Sequence, residues 1–597
     1  MTLDAWLTIA IVAATFVALL FTKLPPVTVF LGALTLSISL GLAPIGRSLI
    51  GFSNPGVLTV GALFMVAAGM YSTGAISLLS DKLIGRPKTI LSAQLKILPP
   101  ITFGSAFLNN TPLVAMMIPV IRDLCRSTGL DKAKLYIPLS SASVLGGTCT
   151  LIGTATNLII AGMVLDAMAS GAGGNAKLQE ITMFDPSWVA VPAAVLGIVL
   201  LVVTSQFLLK GTDQGETAAL QERRYGAEFT VPADSSLAGQ TLEATGFAEP
   251  IGFEILELIR SDGTSVELDA GTRLEAGDVL SVSTDLDTLG SLWTKKGLTG
   301  LYTMNPMETE RHEHQLVEAV ISPQSRAVGR MVSEFPLPDS PYKMTLVALS
   351  RNGQPVEGRI RDVRVEVGDL AVLEVNESFF YVNSRETQLS LVKPVRGYRI
   401  QRWHKAAIAT VITAAMVTFA AMGWMSMLNA ALLATGAMLL TGCMTLRIAA
   451  HSIDYSTLGV LAAAIGVAEA VTESGLAAQI AELLTRLGGG SALAALAVVF
   501  IARVVMANLI TNAGSAVFMF PIALSMADQL GVSFMPFAIA LMTGTIGSVI
   551  NPAAYQTNLM VYGPGEYEFA DFVKMGVPLT LLVGVITVVL APRFFPF

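Results

Sequence analysis

The sequence predicts an α-helical polytopic membrane protein made of two inverted copies of one helical unit. Each copy carries a re-entrant hairpin, and a tandem of small α/β domains is inserted between them. The first observation behind this is composition: of 597 residues, 53% are hydrophobic and only 14% charged, with a mean hydropathy of +0.64, far too apolar for an ordinary soluble chain. The second is duplication. Leu108 to Pro119 falls on Ile510 to Pro521 at an offset of about four hundred, so that Asn109, Asn110, Thr111 and Pro119 match Thr511, Asn512, Ala513 and Pro521. Gly146, Thr156, Asn157 and Gly162 match Gly547, Thr557, Asn558 and Gly563 at nearly the same offset. The third is that both matched stretches are polar, Gly-rich interruptions of apolar segments, the sequence pointer to a transporter site.

In the first copy, about 1–210, apolar runs near 5–22, 26–44 and 56–76 are each long enough to cross a hydrocarbon core of about 30 Å. The first lacks a basic leader and follows Asp4, which reads as a membrane helix and not a cleaved signal. From about 91 to 121 the apolar run contains Pro99-Pro100, Gly104, Asn109-Asn110 and Pro112, which predicts two short helices meeting at a turn. A span at about 135–165 is broken by Gly146-Gly147 and Gly153, and another near 187–209 closes the copy. Non-helical backbone at this depth must be covered by protein or face a water-filled cavity, so both interruptions should share an interior.

Charge orients the copy. Lys82, Arg86, Lys88 and Lys96 precede the hairpin and Arg122, Arg126, Lys132 and Lys134 follow it, which places both clusters in the cytoplasm. The segment 211–401 is then cytoplasmic as well. It is polar, has strand-like runs and is itself doubled, with Gly239, Gly263 and Gly277-Asp278 recurring as Gly329, Gly353 and Gly368-Asp369. Its two modules, about 211–305 and 306–401, resemble the RCK or TrkA C-terminal type of regulatory domain found in potassium channels and transporters. The resemblance implies dimerisation, hence a homodimer, and a possible nucleotide or other small anionic ligand. The second copy, about 402–597, repeats the first with spans near 405–422, 426–445 and 454–472, a hairpin at about 491–525, a broken span at about 534–562 and a last span near 575–592. An odd number of crossings per copy inverts it, so the second hairpin should enter from outside. Glu566, Glu568 and Asp571 then sit on the inside, against the charge pattern although acids contribute little to it.

These residues resemble the divalent anion:sodium symporters, in particular the bacterial and algal members with regulatory domains between the halves. That family has a Ser-Asn-Thr triplet at each hairpin tip; here the triplets are Asn109-Asn110-Thr111 and Thr511-Asn512-Ala513, with Asn109 in place of a serine and Ala513 in place of a threonine. Gly153-Thr-Ala-Thr-Asn157 and Tyr555-Gln-Thr-Asn558 match the unwound segments opposite the tips, and Tyr555 to Gly563 looks like the sulfate-transporting branch. The resemblance implies a symporter of a divalent anion, sulfate first and a dicarboxylate such as succinate or citrate second, coupled to sodium, in the inner cell membrane. It implies substrate contacts at Asn109, Asn110, Thr111, Thr511, Asn512, Ala513, Thr156, Asn157, Thr557 and Asn558. It also implies sodium contacts at Asn110, Gly153, Thr154, Ala155, Asn512 and Ala554. No cofactor besides the coupling ion and no nucleic acid is implied.

The chemistry stands without the family. A divalent oxyanion in the bilayer middle must recover lost hydration, and helix starts at a hairpin tip supply free N–H groups and positive dipole ends. Asn amides and Thr hydroxyls add donors, while unwound carbonyls and Asn oxygens suit sodium. The plain alternative for one membrane Asn is interhelical glue, worth about 0.6 kcal/mol. Arg503 reads as snorkelling to the outer interface, substrate contact being its alternative. Glu469 and Glu473 read as surface caps of a span, and His312 and His314 as part of a solvated loop with no third metal ligand. Cys125, Cys149 and Cys443 have neither disulfide nor zinc spacing. A channel gated by the central modules is the competing class, disfavoured because no repeated pore filter is present. An enzyme is the least favoured class, since the sequence offers no nucleophile and base pair, P-loop or metal cluster.

Overall fold

The computed structural model describes all residues except 1, 23, 74–86, 88, 172–173, 210–223, 234, 236, 246, 248–252, 267, 270, 287, 290–291, 293–297, 301–313, 322–324, 326, 335–343, 352, 357–358, 377–388, 395–402 and 488. Lys82, Arg86, Lys88 and His312, each used in the sequence reading, lie outside the described residues. Two compact units emerge, one of Met1–Thr212 with Arg402–Phe597 and the other Asp213–Gln401.

The first unit is helical, and the duplication is visible in its helix starts. Helices beginning at Leu3, Pro26, Pro55, Ile90, Asn110, Ala133 and Ala155 recur at Trp403, Met427, Tyr455, Ala492, Asn512, Met535 and Gln556, an offset of 400–402. Among the described residues, seven helices are long and apolar enough to cross a membrane, Ser187–Leu208 and Phe569–Phe594 among them. Pro26 and Pro55 stand at helix starts, where a missing N–H removes no intrahelical bond.

Where the sequence predicts a hairpin there are two helices, Ile90–Ser105 and Asn110–Thr128, joined by four residues, 106–109. Pro99 and Pro100 do not make the turn but stay inside the first helix. The second copy has the same arrangement in Ala492–Leu509 and Asn512–Leu530. The two broken spans are Ala133–Gly147 with Ala155–Ser170, and Met535–Thr543 with Gln556–Tyr562, the latter pair linked through a seven-residue 3₁₀ turn, Gly544–Ile550. A 3₁₀ stretch of that length is unusual and commonly marks a functional or strained position.

Glycine lets the breaks close on the first hairpin. A Cβ at Gly146 would lie 2.1 Å from the Thr102 carbonyl oxygen, and one at Gly153 would lie 2.7 Å from that of Ser105. Loops assigned to one side also hold each other. Lys132 Nζ meets Glu566 Oε1 at 2.7 Å, and the buried Tyr567 hydroxyl receives the Ile137 N–H at 3.0 Å. At the loops assigned to the other side, Arg47 pairs with Glu473, the Asn175 N–H donates to Asp528 Oδ1 at 2.6 Å and the Phe534 N–H to the Lys177 carbonyl at 3.2 Å. The acids that ran against the charge pattern thus have local work: Glu566 pairs with Lys132, while Glu568 and Asp571 form a capping box at the start of Phe569–Phe594.

The second unit is chiefly strand among its described residues. Its ten described strands form one sheet. β1 (Tyr225–Thr230), β2 (Phe253–Ile259) and β3 (Val279–Thr284) lie in the first half of the unit, and β4 (His314–Ile321), β5 (Met344–Arg351) and β6 (Leu370–Asn376) in the second. The halves join where β1 meets β5 antiparallel, Ala227 opposite Ala348. The repeated Gly-Asp pair is a clasp in both. Gly277 and Gly368, each at φ 90°, occupy backbone conformations that favour glycine. Asp278 Oδ2 accepts from the Glu275 N–H and from Arg260, both at 2.7 Å. Asp369 does the same with the Glu366 N–H and Arg351, at 2.8 and 2.9 Å.

Candidate functional site

Each hairpin turn ends in an asparagine that opens a 19-residue helix, Asn110 in the first copy and Asn512 in the second. The preceding residue caps each helix: Asn109 Oδ1 accepts from the Thr111 N–H at 3.4 Å, and Thr511 Oγ1 from the Gly514 N–H at 3.1 Å. The positive end of each helix dipole therefore lies at a tip.

Asn110 is fully buried. Its Oδ1 accepts from Ser105 Oγ, and that hydroxyl also reaches the Ser143 carbonyl at 2.7 Å. Its Nδ2 crosses to the other copy, donating to the Tyr555 hydroxyl at 2.8 Å. Thr111 Oγ1 likewise donates to Gln556 Oε1 at 3.2 Å. Gly147 lies against this amide so closely that a Cβ there would sit 2.7 Å from Asn110 Oδ1. The first tip therefore meets its own broken span and that of the second copy.

Asn512 is buried too, in different company. Arg503 Nη2 donates to its carbonyl oxygen at 2.8 Å and to its Oδ1 at 2.6 Å, and Arg503 also reaches Ser515 Oγ and the Leu541 carbonyl. Asn512 Nδ2 is buried without a hydrogen-bond partner among the described residues. Asn508 Nδ2, on the helix Ala492–Leu509 that carries Arg503, holds the Gly547 carbonyl at 2.9 Å. Both tips therefore hold on to the second broken span. Among the described residues no hydrogen bond joins Asn110 to Asn512 directly.

The broken spans use their asparagines as staples. Asn157 Nδ2 holds the Thr150 carbonyl at 2.8 Å, and its Oδ1 is buried with no donor. Asn558 Nδ2 holds the carbonyls of Ser548 and Asn551 at 2.8 and 3.1 Å, while Ser140 Oγ donates to its Oδ1 at 2.7 Å and meets Thr557 Oγ1 at 2.8 Å. Thr154, Thr156 and Ala554 are buried and Ala513 is half-buried. A pocket lies beside the first tip, with Asn109, Thr154 and Ala155 in its wall together with Phe64 and Phe107.

The sequence reading placed Arg503 at an interface, and the structure corrects this: its side chain is fully buried. An ionisable residue inside an apolar helix is itself a functional signal. Ser105, Ser140 and Tyr555 were also absent from the predicted contacts. Tyr555 was accessible to sequence logic, since it occupies the position matching Thr154.

A family model described as citrate transporter matches residues 16–544 and 430–597. Among curated relatives, an uncharacterized transporter of Synechocystis sp. is 30% identical, the match covering 97% of this chain and 95% of that protein. A putative sulfur deprivation response regulator of Chlamydomonas reinhardtii is 29% identical, over 94% and 97% of the two chains. Sodium/sulfate cotransporter 1 of the same alga is 26% identical, over 96% and 89%.

Proposed function

Since the chain belongs to the citrate-transporter family, we propose that it is a secondary active symporter moving a divalent oxyanion, sulfate before others, with sodium. The observation that carries this is the pair of buried tip asparagines, each opening a long helix, one of them with a buried amide donor that has no acceptor. Such donors suit a dehydrated anion, and the likeness to an algal sodium/sulfate cotransporter favours sulfate as that anion. The family's description favours a second reading, a citrate-type carboxylate, which asks for the same donors.

Two half-sites contribute. Asn512 Nδ2 and the two helix starts supply donors to the anion, and Asn110 and Thr111, which hold Tyr555 and Gln556 in this structure, turn theirs to it on binding, with Thr156, Thr557 and Ala513 close by and Asn109 and Thr511 holding the tips in shape. Sodium, as the second transported species, takes oxygens: Asn157 Oδ1 is an acceptor without a donor, and the unwound backbone at Gly153, Thr154 and Ala554 adds carbonyls. The hairpins re-enter from opposite faces in this reading, and transport moves the site by an elevator-like displacement. The ion pairs Lys132–Glu566 and Arg47–Glu473, each between loops assigned to one side, support the inverted arrangement. The strand-rich unit lies in the cytoplasm of a multi-pass inner-membrane protein, acts as a tandem RCK-type regulator with a small anion or nucleotide as ligand, and contributes to a homodimer.

Uptake of radiolabelled sulfate into proteoliposomes tests the proposal. A sodium gradient should drive saturable uptake, with succinate and citrate as competitors to rank the two anion classes. Equal uptake with choline replacing sodium at fixed pH would overturn sodium coupling.

A further inference from the structure

Arg503 is fully buried, and among the described residues its four hydrogen bonds all end on neutral oxygens. The matching position in the first copy is Ile101, so the charge belongs to one half only. A buried guanidinium without a counter-ion is unfavourable, and the partial negative charge at the end of helix Met535–Thr543, reached through Leu541, offsets only part of it. The side chain is also locked in place, for a Cβ at Gly544 would lie 2.6 Å from Arg503 Cγ.

Its effect on Asn512 is directional. An amide can flip, but Arg503 donates to both the carbonyl oxygen and Oδ1 of Asn512, so Oδ1 must face the guanidinium and Nδ2 must face away. That Nδ2 is buried with no acceptor among the described residues, on a residue 5% exposed. We propose that Arg503 is the positioning and charge-selecting residue of the anion site: it aims the Asn512 amide at the anion, and its fixed charge favours a dianion over a monoanion of the same shape. The guanidinium is too enclosed to touch substrate. It acts through Asn512 and through its field, whose attraction scales with the charge of the anion. The inference rests on the reading that the tips bind a divalent anion.

Sulfate and perchlorate are tetrahedral oxyanions with two charges and one, and their binding to purified full-length protein in sodium buffer, followed by calorimetry, separates charge from shape. Arg503→Gln should lower the sulfate-to-perchlorate affinity ratio at least tenfold, while Arg503→Lys, which keeps the charge, should retain most of the ratio with weaker binding of both. A folded Arg503→Gln protein with the wild-type ratio overturns the inference alone. Should that variant not fold, calorimetry on the wild-type protein in sodium buffer decides: sulfate should bind more tightly than perchlorate, and equal affinities overturn the proposal. Wild-type protein that binds neither sulfate nor succinate removes the reading beneath it.

Discussion

Gly153→Ala tests the packing that holds the first tip. A Cβ at this position would lie 2.6 Å from the Gly147 carbonyl oxygen, 2.7 Å from that of Ser105 and 2.8 Å from the Gly147 Cα. Comfortable contacts begin at about 3.5 Å, so backbone must retreat by most of an ångström. Overpacking of this kind costs about 1–3 kcal/mol. The segments forced apart are the two that hold Asn110, Ser105 through its hydroxyl and Gly147 through close contact. The substitution should therefore lower the unfolding midpoint and weaken sulfate binding together. Loss of one hydrogen bond to an ion, about 1.5–3 kcal/mol, is tenfold or more in affinity. Gly436→Ala is the control, because nothing lies within 4 Å of a Cβ there and helix Met427–Leu440 should lose no stability. Differential scanning fluorimetry and titration calorimetry on the purified variants read both quantities. A Gly153→Ala protein with wild-type midpoint and wild-type affinity would refute the packing argument.

Three further outcomes follow from the same geometry. Tyr555→Phe deletes the acceptor of Asn110 Nδ2 and should cost about 1 kcal/mol of stability in thermal unfolding, whereas no change would mean that the link between copies is not formed in the resting protein. In a cysteine-free background, single cysteines at Lys132 and Glu566 should react with impermeant maleimide from the same face and one at Glu473 from the opposite face; labelling of Lys132 and Glu566 from different faces would break the inverted arrangement. Replacing residues 213–401 by a short linker should change the rate of uptake while sodium-dependent sulfate binding persists, since those residues form their own unit with their own cores. Loss of binding in the folded remainder would make the strand-rich unit part of the site.

The tips were legible in the sequence because an amide in an apolar helix is conspicuous and a second copy at one offset makes coincidence implausible. The breaks at 148–154 and 544–555 were legible through Gly147, Gly153 and Gly547. Hidden were the contacts that depend on how distant segments meet. Asn110 and Tyr555 are 445 positions apart and Ser140 and Asn558 418, so only the packed chain brings them together. Arg503 misled because a charged residue on an apolar helix faces lipid or protein according to its neighbours, and here the room for it comes from Gly544. Pro99 and Pro100 misled in the opposite sense, since the helix runs through both and turns only after Ser105.

Titration of sulfate, in sodium, into Asn110→Ala and Asn512→Ala tests most directly whether two residues 402 positions apart serve one anion. Each substitution removes one donor and one acceptor from a buried tip, so each should weaken binding at least tenfold, with Asn512→Ala the more severe because its donor has no other partner. If both variants bind sulfate with wild-type affinity and wild-type sodium dependence, and only their unfolding midpoints fall slightly, the tip asparagines are interhelical glue and the two-tip site is wrong.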